Sequence, residues 1–262
     1  MKKVALISGG SSGIGYACAG YLSKIGVSVY EISRREVRQE NVTHLSGDVT
    51  DSASVKAALN SIMEKEGRLD CLINCAGFGI SGAAEFTREE DAKAQFDVNF
   101  FGTVNMCREA IPYLRESKGH IVNVSSVAAI APLPFQAFYS ASKAAINSYS
   151  LALANELKPF GIRVCAIMPG DTRTSFTSAR KKNYEGNSLY QERIARSVSK
   201  MEKDEINGKS AEDAGRLIAS VALNGPAKPL ITIGAEYKLI AFLLKVLPVR
   251  LSNALIGMIY AK

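Results

Sequence analysis

Tyr139 and Lys143 stand four residues apart in the run Phe135-Gln-Ala-Phe-Tyr-Ser-Ala-Ser-Lys-Ala-Ala. Apolar residues at Ala141, Ala144, Ala145 and Tyr149 predict a helix. Positions four apart on a helix share a face, so the phenol and the ammonium point the same way. A nearby cation favours the phenolate and draws a tyrosine pKa down from about 10 toward neutrality. Such a tyrosine can act as a general acid or base. Taken alone, the pair is better explained as a partly buried tyrosine beside a surface lysine. The elements that would position it must decide.

The first of these elements lies at the start of the chain. Val4-Ala-Leu-Ile7 is an apolar run of strand type, followed by Ser8-Gly-Gly-Ser-Ser-Gly-Ile-Gly15, a helical stretch to Leu22 and a second strand over 27–32. Strand, glycine turn, helix and strand open a dinucleotide-binding βαβ unit. Gly9 permits the tight turn, Gly13 lets a pyrophosphate approach the backbone at a helix N-terminus, and Gly15 lets helix and strand pack closely. The spacing is Gly-x-x-x-Gly-x-Gly rather than Gly-x-Gly-x-x-Gly. At the end of the second strand an acid suits the ribose 2′-hydroxyl of NAD and an arginine the 2′-phosphate of NADP. Ser33-Arg34-Arg35 stands there, so NADP(H) is preferred over NAD(H), although Glu31 lies two residues before.

Further strands are expected at 42–45, 69–73, 120–124, 162–168 and 230–233, alternating with helices over 51–65, 89–116, 139–157 and 211–223. This alternation predicts one α/β domain over residues 1–262, a doubly wound parallel sheet of about seven strands with helices on both faces. Ligands of such sheets lie outside the carboxyl ends of the strands. Asp48, Asn74, Gly77, Ser126, Pro169 and Gly170 fall at those ends. Asp48 could hold an adenine amine or cap a turn. Asn99 sits in mid-helix among Val98, Phe100 and Phe101, which implies burial and hence hydrogen-bond partners. The apolar stretch 129–135 between Ser126 and Tyr139 suits the wall of an apolar pocket. Residues 171–205, polar, basic and weakly periodic, read as a substrate lid above the carboxyl edge.

The net charge of +7 is concentrated late in the chain. Residues 1–172 are neutral overall, whereas 173–203 carry eight Lys/Arg against three Asp/Glu. A solvated face, an anionic substrate or an acidic membrane explains this better than nucleic acid, for which no binding module is present. The five scattered cysteines read as reduced core residues, and Cys71 and Cys75 on one strand would be about 13 Å apart, too far to bridge. Two separated histidines make neither a metal site nor a Ser-His-Asp triad. The apolar stretch after Met1-Lys-Lys is too short for a signal peptide, and no run reaches the roughly 18 residues of a membrane span. A cytoplasmic location is expected.

Together these residues resemble the short-chain dehydrogenase/reductase family, of hydroxysteroid and retinol dehydrogenase type, over essentially residues 3–235. The resemblance rests on the glycine turn, Asp48, Asn74-Cys-Ala-Gly77, Asn99, Ser126, Tyr139, Lys143 and Pro169-Gly170 in this order. Ser8 stands where threonine is common and Cys75 where a second asparagine is usual, neither removing a group the chemistry needs. The resemblance implies that Tyr139 exchanges a proton with the substrate oxygen and that Ser126 stabilises it. Lys143 would lower the tyrosine pKa and hold the nicotinamide ribose, and Asn99 would anchor a water leading to solvent. Cofactor contacts are implied at Gly9, Ser11, Ser12, Gly13, Ile14 and Gly15, at Ser33, Arg34 and Arg35, and at Asp48 and Val49. They continue at Asn74, Ala76 and Gly77, at Tyr139 and Lys143, and at Pro169, Gly170, Thr172 and Thr174.

The expected reaction interconverts a carbonyl and a secondary alcohol on a bulky, largely apolar substrate, steroid-, retinoid- or lipid-like. A 3-oxoacyl-thioester reductase is the runner-up. A non-catalytic NADP-sensing protein would be expected to lose Tyr139, Lys143 or Ser126, and none is lost. The expected partners are the small substrate and further copies of the chain in a homodimer or homotetramer. Residues 237–262 form an apolar extension broken at Pro248. They suit a tail on the core, over the pocket or against another subunit better than an interfacial helix on an anionic membrane, for which Lys238, Lys245 and Arg250 are the argument.

Overall fold

The computed structural model describes residues 2–261. Seven parallel strands form one sheet: β1 (Val4–Ser8), β2 (Ser28–Ser33), β3 (Val42–Ser46), β4 (Cys71–Asn74), β5 (His120–Val124), β6 (Arg163–Met168) and β7 (Leu230–Thr232), in the spatial order β3-β2-β1-β4-β5-β6-β7. The order reverses at β1 and β4, which opens a crevice at their carboxyl ends.

The near-continuous apolar strands follow from burial on both faces. Successive side chains alternate between them. Leu6 and Leu72 pack with Leu59 of α2 (Ser52–Glu66), Met106 of the Gly102–Ser117 helix and Leu153 of the Ala137–Leu157 helix. Ile7 and Ile73 pack on the opposite face with Leu22 of α1 (Gly13–Lys24) and Ile218 of the Ala211–Asn224 helix. Capping fixes the ends: the Asp51 carboxylate accepts from Ala53 N at 3.0 Å, and Gly67 closes α2 in the left-handed conformation.

The helix expected over 89–116 is present as α3 (Glu89–Phe96) and α4 (Gly102–Ser117), joined by a π-helical turn over Asp97–Phe101. Asn99 lies in that turn, fully buried. After α5 (Ala137–Leu157), the 171–205 segment departs from its irregular expectation. It contains a short α6 (Phe176–Ala179) and the fourteen-residue α7 (Arg193–Ile206). Only Ile194, Ser197, Val198 and Met201 of α7 are buried, a narrow stripe among charged residues. α8 (Ala211–Asn224) and β7 follow, then α9 (Ala235–Val246) and α10 (Val249–Tyr260), which meet at Pro248 as the sequence predicts.

Candidate active site

The sheet's carboxyl edge and α5 bring together the residues predicted to do chemistry. Ser126 follows β5 and caps the short turn after it, its Oγ accepting from Ala128 N at 3.1 Å. The hydroxyl hydrogen of Ser126 remains to be donated, and the side chain is hydrogen-bonded to Tyr139. Ser125 Oγ donates to the Lys143 carbonyl at 2.9 Å and so fastens α5 to the end of β5. Lys143 Nζ lies 5.8 Å from the centre of the Tyr139 ring and donates one of its three hydrogens to Val124 O at 2.8 Å.

The expectation that Lys143 lowers the Tyr139 pKa is not what these surroundings give. Burial pushes Tyr139 up to about 12, opposed by the Ser126 hydrogen bond; of the nearby charges, Glu205 raises it and Arg180 lowers it. Lys143 is 5% exposed, and burial brings its ammonium down to about 8. One donor of the cation is thus held by a backbone carbonyl, and the surroundings of Tyr139 favour its protonated form.

Asn99 has a definite structural task. Its Oδ1 accepts from Phe78 N at 2.9 Å, while Nδ2 donates to Phe78 O at 3.1 Å and Ser142 Oγ at 3.0 Å. It clamps the segment after β4 to α5, one turn from Tyr139. Thr103 Oγ1 also donates to the Asn99 carbonyl at 2.9 Å. The π-turn is the local distortion that sets this residue apart from an ordinary helix position.

The glycine turn forms a cradle at the N-terminus of α1. Gly9 and Gly13 have φ of 69° and 55°. A Cβ on Gly9 would lie 2.7 Å from Ala76 N, and one on Gly15 would collide with the Gly9 carbonyl. Ser12 precedes the helix without a side-chain capping bond, so the first turn of α1 presents N–H groups suited to an anion. Arg34 and Arg35 are exposed at the other end of the cradle, after Ser33. Glu31 is turned away, buried and paired with His44. Asp48 Oδ1 accepts from Thr50 N at 2.9 Å and caps a turn while lining the same cleft.

These groups share one cavity of about 1100 Å³ with Ser11, Ile14, Val49, Ala76, Gly77, Pro169, Gly170, Thr172 and Thr174. Thr172 Oγ1 donates to Gly170 O at 3.0 Å, and Thr174 Oγ1 accepts from Phe176 N at 3.1 Å, with its side chain against Gly13. Asn74 is the exception among the predicted contacts. It is buried in the sheet, its Nδ2 donating to Asn123 Oδ1 at 2.8 Å, and is not part of the cleft wall. A polar residue at a strand's last position can face a neighbouring strand instead of the ligand, and spacing alone does not distinguish them.

Several residues of the cleft carried no sequence signal. The Phe176 ring lies 5.5 Å from that of Tyr139, and Arg180, wholly buried, pairs with Glu205 behind it. Glu205 also accepts from Thr177 Oγ1 at 2.6 Å. The basic lid is partly neutralised by such pairs, with Lys181 bound to Asp91, Lys182 to Glu202 and Lys200 to Asp204. This weakens the case for an anionic substrate there. The apolar extension reaches the cleft: Ile240 and Leu244 of α9, Leu247 just after it, and Leu255, Ile256 and Ile259 of α10 line it. Tyr237 OH donates to an Asp171 carboxylate oxygen at 2.5 Å, and Tyr260 OH to Asp204 at 3.1 Å. Only an acidic partner far along the chain makes these tyrosines latches.

The model of the short chain dehydrogenase family matches residues 3–185, and the chain belongs to that family of oxidoreductases. Its fold is the family's nicotinamide dinucleotide-binding fold. Among its relatives is a 3-ketodihydrosphingosine reductase of Bacteroides thetaiotaomicron, 44% identical over 225 residues, covering 84% of this chain and 83% of the relative. An 11-beta-hydroxysteroid dehydrogenase-like protein of Arabidopsis thaliana is 36% identical over 220 residues, covering 79% and 70%. A crystal structure of a short-chain dehydrogenase from Streptomyces avermitilis superposes with a TM-score of 0.81 at 27% identity, covering 93% of this chain and 95% of the other.

Proposed function

We propose that this chain is an NADPH-dependent reductase that converts the ketone of a long-chain lipid to a secondary alcohol, with 3-ketodihydrosphingosine as its type substrate. One observation carries the reading. Tyr139 and Ser126 line the same cavity as Leu133 and the apolar side chains of α9 and α10. The identity with the Bacteroides reductase supports the choice among apolar ketones.

A nicotinamide dinucleotide in the glycine cradle supplies the hydride. The chain's residues do the rest. The first turn of α1 holds the pyrophosphate. Ser126 donates its hydroxyl hydrogen to the ketone oxygen, where negative charge develops. Tyr139, with its pKa at about 12, is protonated across the physiological range and delivers its proton to that oxygen. Lys143 holds the nicotinamide ribose with donors not spent on Val124 O. Asn99 keeps the Phe78 segment and α5 in register, and a water at its turn would carry the replacement proton. The lid and tail exclude bulk water.

Arg34 and Arg35 account for the NADPH preference. A charge-assisted bond to a 2′-phosphate contributes about 1.5–3 kcal/mol, and because both arginines are exposed and screened by solvent the pair together is expected to contribute about that much. The Arg34→Ser/Arg35→Ser double variant is expected to raise the KM for NADPH about 10- to 100-fold and to leave that for NADH nearly unchanged. Equal losses with both cofactors would remove the arginines from the 2′-phosphate site. The substrate reading is tested by following NADPH consumption with 3-ketodihydrosphingosine, a steroid ketone, a 3-oxoacyl thioester and an aldohexose. The lipid base is expected to be the best substrate. Activity on the sugar alone would overturn the reading, and preference for the thioester would replace it with acyl reduction.

A further inference from the structure

We propose that α9 and α10 form a docking surface for an anionic lipid bilayer and that the cleft takes its substrate directly from that bilayer. The docking goes beyond the reductase reading, and only the delivery of substrate rests on it. The two helices present a broad apolar surface outward. Leu239, Phe242 and Val246 of α9 are about 59–60% exposed, and Val249 at the start of α10 is 80% exposed. Leu251 and Met258 continue the surface, each nearly half exposed. None of these six lines the cleft.

A second group joins this surface to the cleft. Ile240, Leu243, Leu255 and Ile259 line the cavity and are also more than a third exposed. An apolar chain crossing between them stays in contact with apolar atoms from the outer surface to the cavity. The occupant of the outer surface follows from its charge. Among the described residues from Ala235 to Ala261, Lys238, Lys245 and Arg250 are the cations and Glu236 the sole acid. All three cations are exposed. A symmetric second copy would set this cationic patch against itself, whereas an anionic headgroup layer complements it. Each helix has twelve residues, or about 18 Å of length, which is too short to cross a bilayer and suits lying in its interface. Among the described residues no helix is long and apolar enough to span.

The docking is tested by flotation of the full chain with phosphatidylcholine vesicles, with and without phosphatidylglycerol. The chain is expected to float with the anionic vesicles and much less with the neutral ones. Phe242→Glu/Val246→Glu/Val249→Glu is expected to bind at least about tenfold more weakly, while keeping its thermal transition and its turnover of a short, water-soluble ketone. If that variant misfolds, Lys238→Gln/Lys245→Gln/Arg250→Gln serves instead and is expected to lose the preference for anionic vesicles. Wild-type chain that never floats would overturn the proposal, as would equal flotation of wild type and both variants. So would a dimer in sedimentation that the glutamate variant dissociates, in a chain that ignores vesicles. Flotation reads no catalysis, so a chain that floats but reduces no lipid ketone would sink the reductase reading alone.

Discussion

Replacing Tyr139 by phenylalanine is expected to lower the turnover number for ketone reduction between about 100- and 10,000-fold, the usual contribution of a positioned general acid. Affinity for NADPH is expected to stay within about twofold, because the lost oxygen meets the substrate and the cradle is elsewhere. The ring keeps its place against Phe176. Beside the lost phenol stands Ser126, whose Oγ accepts from Ala128 N and still has a hydrogen to donate. Ser126 can steady a negative oxygen but cannot supply a proton at neutral pH. Single-turnover measurement with bound NADPH separates the cases. Near-full activity in the phenylalanine variant would show that the proton comes from another group.

The second large effect is on Lys143 and has opposite signs for activity and stability. Lys143→Met should abolish most turnover and raise the KM for NADPH, since the ammonium is the cation beside the nicotinamide ribose in this mechanism. It should also make the protein more stable near pH 7. The folded-state pKa of Lys143 is depressed by burial from 10.5 to about 8. Below about pH 8 the folded protein therefore carries a buried charge that the unfolded chain carries in water. Between pH 8 and 10.5 the unfolded chain binds more protons, so wild-type stability rises with pH through that window. Above it the burden is gone. The methionine variant lacks this rise. At pH 7 it is expected to be more stable by about 1–3 kcal/mol, less than the full shift implies because Val124 O loses a donor. Denaturant titrations of both proteins from pH 7 to 10.5 should converge as pH rises; parallel curves would contradict the buried-charge account.

The parts of this protein that were legible in its sequence are those set by local rules. Strands buried on both faces announce themselves as short apolar runs, and the sheet follows from their alternation with helices. The glycine turn is legible because Gly9, Gly13 and Gly15 each answer a steric demand. Tyr139 and Lys143 share a face because the helical repeat requires it. The resemblance to the dehydrogenase family supplied the roles that periodicity could not. What stayed hidden depends on partners far away in the chain. α7 buries one stripe, Ile194, Ser197, Val198 and Met201, whose helical spacing is regular but is embedded in a run so charged that it reads as solvated loop. The basic lid suggested an anionic ligand until Lys181 met Asp91, ninety positions earlier in the chain. Asn74 turns to Asn123 on the next strand, a choice made by the sheet. The shift of Tyr139 upward, against expectation, comes from desolvation, with the Phe176 ring of α6 against the phenol and Glu205 of α7 adding to it, neither of which the local sequence foretold.

The central claim is that a proton-donating tyrosine serves the ketone of a long apolar chain. The most direct test is kcat/KM with NADPH for a homologous series of 2-amino-3-ketones of increasing chain length, presented below their micellar concentrations. Each methylene buried in the cleft contributes about 0.8 kcal/mol, so kcat/KM should climb about three- to fourfold per carbon until the apolar walls are filled. A flat series, or one that peaks at the shortest and most polar member, would contradict the account.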